Sequence, residues 1–268
     1  MAETIPRLKP RPRILTVSRV QRLSPNMIRV TFACSALEGI ATDRAGGNCK
    51  LMIPQSGQSQ EAFSAQFDRP IGPDNPKPTT RTYTVRQFRT DPLEMDIDFV
   101  AHGDEGPASA WAEAAAPGSF LGFAGPGAAK VLDFEGDWWL VAADLSALPV
   151  ASVALEAMPR TAKGLAIFEV TDPADRQAIN APEGVEIRWL HHPDVHKPSD
   201  AQEQAVREIN WPDGRIRTCI AGESGVIKAL RGFLHNEKNV PRADTYISGY
   251  WKIGLVEDEH QAFKRAEG

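Results

Sequence analysis

The chain has 268 residues, of which 42% are hydrophobic and 24% charged, and its formal net charge is −5. This composition is ordinary for a soluble globular protein, and the length allows two compact domains. The acidic balance argues against general binding to nucleic acid or to an anionic membrane surface, because both need an excess of Lys and Arg.

Targeting and cysteine signals favour a cytoplasmic protein. The stretch from Met1 to Arg13 is rich in proline and charge and lacks the apolar core of a secretory signal, and no apolar run is long enough to span a bilayer. Cys34, Cys49 and Cys219 are widely spaced and odd in number, so they indicate neither a metal site nor a disulfide framework. We therefore expect a reducing, cytoplasmic location and no membrane insertion.

The first half of the chain has the pattern of short β-strands with close turns. Strands are predicted at 13–20, 27–34, 50–53, 81–87, 94–100 and 119–123, and a short helix at 108–115. Residues 94–100 alternate polar and apolar side chains, which predicts a half-buried strand. Residues 57–80 are polar and contain several Pro and Gly, which predicts a long flexible loop. Short strands with close turns favour an antiparallel β-barrel or a sandwich.

The second half alternates strands with helices. Strands are predicted at 138–143, 165–170, 185–190, 216–221 and 245–249, and helices at 146–158, 224–235 and 256–266. This alternation predicts an α/β domain with a mostly parallel sheet and helices on both faces. Because the pattern changes near Val131 to Gly136, we predict one domain at 1–133 and a second at 134–268.

The most informative motif is Arg81-Thr82-Tyr83-Thr84-Val85-Arg86. Alternate side chains of a strand share a face, so Arg81 and Tyr83 place a guanidinium beside an aromatic ring. A second stretch, from His102 to Trp111, runs through a glycine turn into a helix start, where unpaired N–H groups favour an anion. A flavin dinucleotide needs positive charge to bind its pyrophosphate and a flat surface to pack against its ring, and the two stretches together offer both.

These residues resemble the siderophore-interacting protein family of ferric-siderophore reductases, which belongs to the ferredoxin-reductase-like flavoproteins. The resemblance extends over nearly the whole chain. It is carried by Arg81-x-Tyr83-Thr84-Val85-Arg86, His102-Gly103-x-x-Gly106-Pro107-Ala108-Ser109-x-Trp111-Ala112, Gly122-Phe123-Ala124-Gly125-Pro126, Ala221-Gly222-Glu223 and Gly249-Tyr250-Trp251-Lys252-x-Gly254, with Glu257-Asp258-Glu259-His260 after it. It implies that the barrel binds FAD and that the α/β domain binds NADH or NADPH.

The resemblance also implies roles for matching residues. Arg81 would pair with the FAD pyrophosphate, Tyr83 would pack against the isoalloxazine ring, and Thr84 would hydrogen-bond near its redox-active nitrogen. Small residues of the second stretch would let the phosphates approach the helix start. The implied cofactor-binding set is Arg81, Thr82, Tyr83, Thr84, Asp98, Val100, His102, Gly103, Gly106, Pro107, Ala108 and Ser109, with Asp144, Ser146, Gly222, Glu223, Tyr250 and Trp251 in the second domain.

The second domain lacks the Gly-x-Gly-x-x-Gly fingerprint of an ordinary Rossmann domain. Asp144 and Ser146 follow its first strand, at the edge where ligands bind in open α/β sheets. The family usually has Asp-Glu-Thr-Ala-Leu-Pro here, whereas this chain has Leu145 and Ser146, so the choice between NADH and NADPH stays open. Ser146 is expected to cap the next helix. Glu223 would position the nicotinamide ribose or serve as a first-turn acid favoured by the helix dipole.

Basic residues are expected around the flavin because ferric siderophores are bulky and often anionic. Lys50, Lys130 and Lys252 stand at positions that resemble the family's basic residues and form the predicted substrate-binding set. Arg242 and Lys264 are further candidates. Each is equally consistent with an exposed surface charge.

Two aromatic residues and a histidine cluster have alternative interpretations. Tyr250 and Trp251 also fit interdomain packing. The cluster His191-His192-x-x-x-His196 lies in a proline-containing segment without acidic or cysteine ligands at helical spacing, so we expect an exposed loop and no metal site.

The sequence therefore predicts an FAD-dependent ferric-siderophore reductase, in which a nicotinamide nucleotide supplies electrons that pass through flavin to chelated Fe(III), which leaves as Fe(II). No side chain needs to act as acid or base on the iron, so no catalytic residue is assigned. We expect a monomer whose partner is a ferric siderophore, with a ferredoxin as an alternative electron donor. Two other functions stay open: a general NAD(P)H flavin or ferredoxin-type reductase with a different acceptor, and a non-catalytic siderophore carrier.

Overall fold

A computed structural model describes residues 11–102, 106–129, 131, 133–256 and 259. The strands are β1 Arg13–Ser24, β2 Met27–Phe32, β3 Asn48–Ile53, β4 Thr79–Thr90, β5 Leu93–Val100, β6 Phe120–Ala124, β7 Trp138–Asp144, β8 Lys163–Val170, β9 Gly184–His191, β10 Ile216–Glu223 and β11 Thr245–Trp251. The helices are α1 Gln60–Gln66, α2 Pro107–Ala114, α3 Leu148–Ala157, α4 Ala201–Arg207 and α5 Ser224–Gly232. No helix among these residues is long and apolar enough to cross a membrane.

The first six strands form a closed antiparallel barrel in the order β1-β2-β5-β4-β3-β6, which confirms the predicted antiparallel β-barrel. Pairing of Arg13 with Phe123 between β1 and β6 closes it. Alternate side chains point inward and fill the barrel with Leu15, Val30, Leu51, Val85, Ile97, Leu121 and Phe123, all fully buried.

Strand β5 is buried on both faces, so the prediction of a half-buried strand is wrong. Its polar residues Asp96 and Asp98 are 2% and 5% exposed. Each carboxylate is covered by an arginine of a neighbouring strand, Arg89 for Asp96 and Arg29 for Asp98. Paired carboxylates tolerate burial that isolated ones do not, and the alternating sequence pattern does not reveal such pairing.

The polar segment 57–80 contains a helix, α1, where the sequence predicts only loop. Ser59 caps it by accepting a hydrogen bond from the Ala62 N–H at 3.2 Å, and Phe63 is fully buried. After the helix, the Asn75 amide donates to three backbone carbonyl oxygens, those of Gln66, Arg69 and Pro70, at 3.0–3.1 Å.

The second domain is built on five parallel strands in the order β11-β10-β7-β8-β9, which confirms the predicted parallel sheet. One face packs on α3 through residues such as Val141 and Phe168. The opposite face, with Leu140 and Ile167, packs on α4 and α5. Helices therefore cover both faces, and α3 lies on the side of the barrel, where Met27 joins its core.

Several predicted elements differ in detail. Helix α4 has no counterpart in the prediction. Helix α5 ends at Gly232 and continues as a π-helical turn, Phe233–Glu237. His191 is the last residue of β9 and does not lie in a loop. The predicted helix at 256–266 falls outside the described residues except at its positions 256 and 259.

Candidate functional site

Strand β4 presents the Arg81–Thr84 motif at the barrel wall. Tyr83 packs beside Phe99 of β5, with ring centroids 4.5 Å apart, and Phe99 in turn lies 5.6 Å from the ring of Trp111 on α2. This aromatic series brings the two stretches of the sequence motif together, although the sequence alone did not single out Phe99. Thr84 is 4% exposed, whereas Arg81 is only partly buried and donates from Nη1 to the Thr80 carbonyl oxygen at 3.0 Å.

The start of α2 provides a tight backbone turn next to β5. Gly106 is the N-cap residue and Pro107 occupies the first turn, which leaves backbone N–H groups without helical partners. The buried Ser109 hydroxyl accepts the His102 N–H at 3.0 Å. A Cβ atom on Gly106 would lie 2.9 Å from Cε1 of His102, so a larger residue would displace that ring. Gly103 lies outside the described residues.

These features fit an FAD pyrophosphate and isoalloxazine ring. A guanidinium, a flat aromatic ring and a helix start free of side-chain bulk are held in one region by packing of β4, β5 and α2. The Gly106 turn gives a phosphate close access to the backbone. The contacts of individual residues with FAD stay predictions.

Asp98 and Val100 are engaged by other parts of the protein. The Asp98 carboxylate accepts two hydrogen bonds from Arg29, from Nε at 2.7 Å and from Nη2 at 2.8 Å. Val100 packs against the core shared by α3 and the second sheet. Any contact of these two residues with the cofactor stays a prediction.

At the carboxyl edge of the second sheet, Asp144 gathers hydrogen-bond donors from three separate segments. Its Oδ1 accepts the Ser146 N–H at 2.9 Å and the Ser146 hydroxyl at 2.5 Å, and its Oδ2 accepts the Glu223 N–H at 2.9 Å and the Trp251 indole N–H at 2.7 Å. Desolvation raises the pKa of Asp144, while the hydrogen bonds from Ser146 and Trp251 favour its ionised form.

Two neighbours complete this edge. Gly222 has φ +150°, and a Cβ atom there would lie 2.7 Å from Asp144 Oδ2, so only glycine fits. Glu223 caps α5, since its Oε2 accepts the N–H groups of Gly225 and Val226 at 2.5 and 3.1 Å. The expectation that Ser146 caps α3 is wrong: the N-cap residue is Ala147, and Asp144 accepts its N–H instead.

Two tyrosines of the second domain lie close to the barrel. The phenols of Tyr246 and Tyr250 lie 3.0 Å apart, and Tyr250 is near Thr84 of β4. Burial raises the pKa of Tyr250 well above its usual value and also raises that of Tyr246. The predicted flavin-binding Thr84 therefore has a neighbour in the second domain, which the sequence did not indicate.

The predicted basic residues are spread over two regions. Lys50 pairs in register with Thr82, and its Nζ hydrogen-bonds to the Thr82 hydroxyl, so it lies beside the flavin motif. Lys252 follows the end of β11, next to Trp251. Arg242 precedes the start of β11, and because a seven-residue strand spans about 20 Å it lies at the opposite edge of the sheet. Lys130 and Lys264 lie outside the described residues.

The ring nitrogens of His191 and His192, at and just after the end of β9, face backbone carbonyl oxygens. Nε2 of His191 is 2.9 Å from the Thr171 carbonyl oxygen, and Nε2 of His192 is 3.0 Å from that of Lys197. In the described part of the chain, no group of three His, Cys, Asp or Glu side chains is placed to hold a metal ion.

The arrangement of an antiparallel barrel followed by a parallel sheet is similar to the fold of solved reductase structures. The ferredoxin-NADP+ reductase of Plasmodium falciparum, for example, matches with a TM-score of 0.61 at 11% identity, covering 89% of this chain and 96% of that chain. At this identity the likeness concerns the fold alone.

Closer relatives define the family. Residues 16–130 match a model described as the siderophore-interacting FAD-binding domain, and residues 136–254 match one described as siderophore-interacting protein. Ferric vibriobactin reductase ViuB of Vibrio cholerae is 38% identical, covering 93% of this chain and 92% of that protein. The siderophore-interacting protein SipS of Aeromonas hydrophila matches with a TM-score of 0.82 at 30% identity, covering 96% and 98% of the two chains. The chain belongs to the siderophore-interacting protein family, which confirms the predicted family and the predicted FAD cofactor.

Proposed function

We propose that this protein is an FAD-dependent ferric-siderophore reductase that draws electrons from NADH or NADPH and releases iron as Fe(II). The observation that carries the proposal is the aromatic packing from Tyr83 through Phe99 to Trp111, which brings the Arg81–Thr84 motif next to the helix that starts at Gly106. The neighbouring domain has a sheet that ends in the Asp144 cluster. Relatives named ferric vibriobactin reductase, NADPH-dependent ferric-chelate reductase and ferric acinetobactin reductase support it.

The barrel residues would bind and orient FAD. Arg81 and the backbone at Gly106 would hold the pyrophosphate, and Tyr83 would form one wall for the ring. Thr84, which lies near Tyr250, would present its hydroxyl near the redox-active edge of the flavin. FAD, once bound, would supply two-electron chemistry toward a nicotinamide nucleotide and one-electron chemistry toward ferric iron.

The carboxyl edge of the second sheet would bind the nicotinamide nucleotide. Ligands of open α/β sheets lie where the strand order reverses, and here that point falls between β7 and β10, which end at Asp144 and Glu223. Asp144 would organise this edge by fixing Trp251 and the Glu223 backbone, so its role is positioning. We also propose that the first domain ends at residue 133 and that the second begins at residue 134.

The substrate would approach the flavin beside Lys50 and Lys252, with Lys130 as the third basic residue. These cations would attract the negative charge of a ferric siderophore. We further propose a cytoplasmic monomer, with a ferredoxin as the alternative electron donor. Raised pKa values of about 12 for the buried thiols of Cys49 and Cys219, caused by desolvation, are consistent with a protein that keeps its cysteines reduced.

The first test is flavin retention by the purified protein. The parent is expected to be yellow, and Arg81→Ala and Tyr83→Ala are each expected to lower FAD affinity at least about tenfold, because a charge-assisted contact or a stacking face is lost. Tyr83→Phe is the matched control and should retain FAD, since it keeps the ring. A colourless parent that does not take up FAD, or two alanine variants that bind FAD as tightly as the parent, would contradict the proposal.

A second test separates the siderophore from other acceptors. Lys50→Glu and Lys252→Glu are expected to raise KM for an anionic ferric siderophore about tenfold and to leave reduction of a neutral acceptor unchanged. An equal effect on both acceptors would favour a general flavin or ferredoxin-type reductase. A flavin-free protein that still binds ferric siderophore would favour the carrier.

A further inference from the structure

A second cavity lies at the seam between the two domains, next to Asp98 of the predicted cofactor-binding set. It has a volume of about 270 Å³ and is lined by Leu23, Arg29 and Arg86 of the barrel and by Arg176, Gln177 and Ala178 of the second domain. We call it the seam pocket. None of its lining residues belongs to the predicted cofactor or substrate set, so it requires its own explanation.

The seam pocket is lined by three arginine side chains. Arg29 is paired with Asp98 at 2.7 Å, and Arg86 is paired with Glu156 at 2.6 Å. Nε of Arg86 also lies 3.9 Å from Oδ2 of Asp98. Arg176 is exposed to solvent, and no carboxylate of the described residues lies within salt-bridge distance of it. Of the three guanidinium groups that line the pocket, Arg176 therefore lacks a carboxylate partner in the described part of the chain.

The pocket also contains hydrogen-bond donors that no described residue satisfies. The Gln177 amide nitrogen, Nε2, is buried and has no partner. Arg29 uses Nε and Nη2 for Asp98, which leaves Nη1 without an acceptor in the described part of the chain. A buried unsatisfied donor costs about 1–3 kcal/mol. Water would satisfy the amide, whereas an anion would satisfy the amide and also pair with the Arg176 guanidinium.

We propose that the seam pocket binds a compact oxyanion of the phosphate class. Guanidinium groups offer paired N–H donors that match phosphate oxygens, and the Gln177 amide adds a neutral donor from the second domain. Arg29 and Arg86 belong to the barrel, whereas Arg176 and Gln177 belong to the nucleotide domain. A bound anion therefore contacts both domains and stabilises their packing, because it binds the joined arrangement better than the separated one.

The test measures thermal unfolding of the FAD-loaded protein, so that the predicted pyrophosphate site around Arg81 is already filled. Inorganic phosphate, pyrophosphate and citrate are each added to 10 mM at an ionic strength held constant with sodium chloride. Phosphate and pyrophosphate are expected to raise the unfolding midpoint by a few degrees, and citrate tests whether a carboxylate can substitute. Isothermal titration of pyrophosphate then gives the dissociation constant.

Two variants assign the site. Arg176→Ala and Gln177→Leu are each expected to weaken pyrophosphate binding about tenfold or more, and Arg188→Ala on β9, which removes an equal charge from an exposed position, should not. The absence of any shift with phosphate or pyrophosphate overturns the proposal. So does a shift that survives in Arg176→Ala and Gln177→Leu, since the anion would then bind elsewhere. Neither result bears on flavin retention.

Discussion

At the scale of single residues, Asp144 has the largest organising role in the candidate site. Its two carboxylate oxygens accept from the loop after β7, from the end of β10 and from the indole of Trp251. The donors from Glu223 and Trp251 lie 79 and 107 residues away from Asp144 in the chain. A carboxylate with four lone-pair sites suits this task, whereas an amide has only one acceptor oxygen.

Asp144→Asn is therefore expected to destabilise the protein by about 2–3 kcal/mol, because donors that faced Oδ2 would face an NH2 group. Affinity for the nicotinamide nucleotide should fall in parallel. Denaturant unfolding and nucleotide titration of the FAD-loaded protein measure the two effects. Ser146→Ala removes a single hydroxyl and is the milder comparison, and FAD retention should be unchanged in both variants. If Asp144→Asn had the stability and the nucleotide affinity of the parent protein, Asp144 would not organise this edge of the sheet.

The local motifs were predictable from the sequence, whereas their long-range partners were not. Strand alternation was enough to place Arg81 and Tyr83 together, and the glycine-to-helix pattern was enough to locate Gly106. The contacts between Thr84 and Tyr250 and between Asp144 and Trp251 join segments more than a hundred residues apart, and no local pattern encodes such pairs. The pairing of Asp98 with Arg29, 69 residues away in the chain, was likewise not encoded in a local pattern.

At the scale of elements, the strands and the short helix α2 were predictable, whereas the short helices α1 and α4 were not. Helices α1 and α4 have seven residues each, too few for a clear apolar period. In α4 one of the buried positions is the polar Gln202, whose amide donates to the Ala143 carbonyl at 3.2 Å. A polar residue on the core face conceals the pattern that would otherwise indicate the helix.

The turn between β5 and α2 depends on Gly106, where the absence of a side chain leaves room for the His102 ring. Gly106→Ala is expected to lower FAD affinity about tenfold, because its Cβ would meet the His102 ring at 2.9 Å and narrow the approach to the helix start. Release of flavin fluorescence on dilution measures the affinity. Gly232→Ala, at the end of α5 with open space around it, is the matched control and should bind FAD normally. Equal FAD affinity in Gly106→Ala and the parent would argue against a phosphate at this turn.

At the scale of the whole molecule, the interface between the two domains is stabilised by buried polar contacts as well as by apolar packing. Asp175, in the loop after β8, is fully buried and accepts hydrogen bonds from the Ser24 hydroxyl at 2.7 Å and from the backbone and side-chain amides of Asn26, both at 2.8 Å. The partners belong to the β1–β2 turn of the barrel. The sequence indicated that turn and both domains, but it gave no sign of their contact, which spans about 150 residues.

The contact makes the stability of the domain packing depend on pH. Burial tends to raise the pKa of Asp175, but hydrogen bonds from Asn26 and Ser24 outweigh it and lower the pKa below its ordinary value of 3.8. A group with a lowered pKa in the folded state stabilises that state above its unfolded pKa, and the stabilisation is lost as pH falls through the lowered value. The contribution of Asp175 should therefore be complete above about pH 5 and should decline below pH 4.

Asp175→Asn separates this effect from general acid unfolding. At pH 6 the variant is expected to be about 2 kcal/mol less stable, because an amide cannot accept all the donors that face the carboxylate. As pH falls from 5 to 3, the difference from the parent should shrink, since protonation removes the same acceptor from Asp175. Unfolding curves at half-unit pH steps measure it, and Asp68→Asn at an exposed ion pair with Arg11 is the isosteric control. A stability difference that stays constant over this range would mean that Asp175 does not titrate in the domain contact.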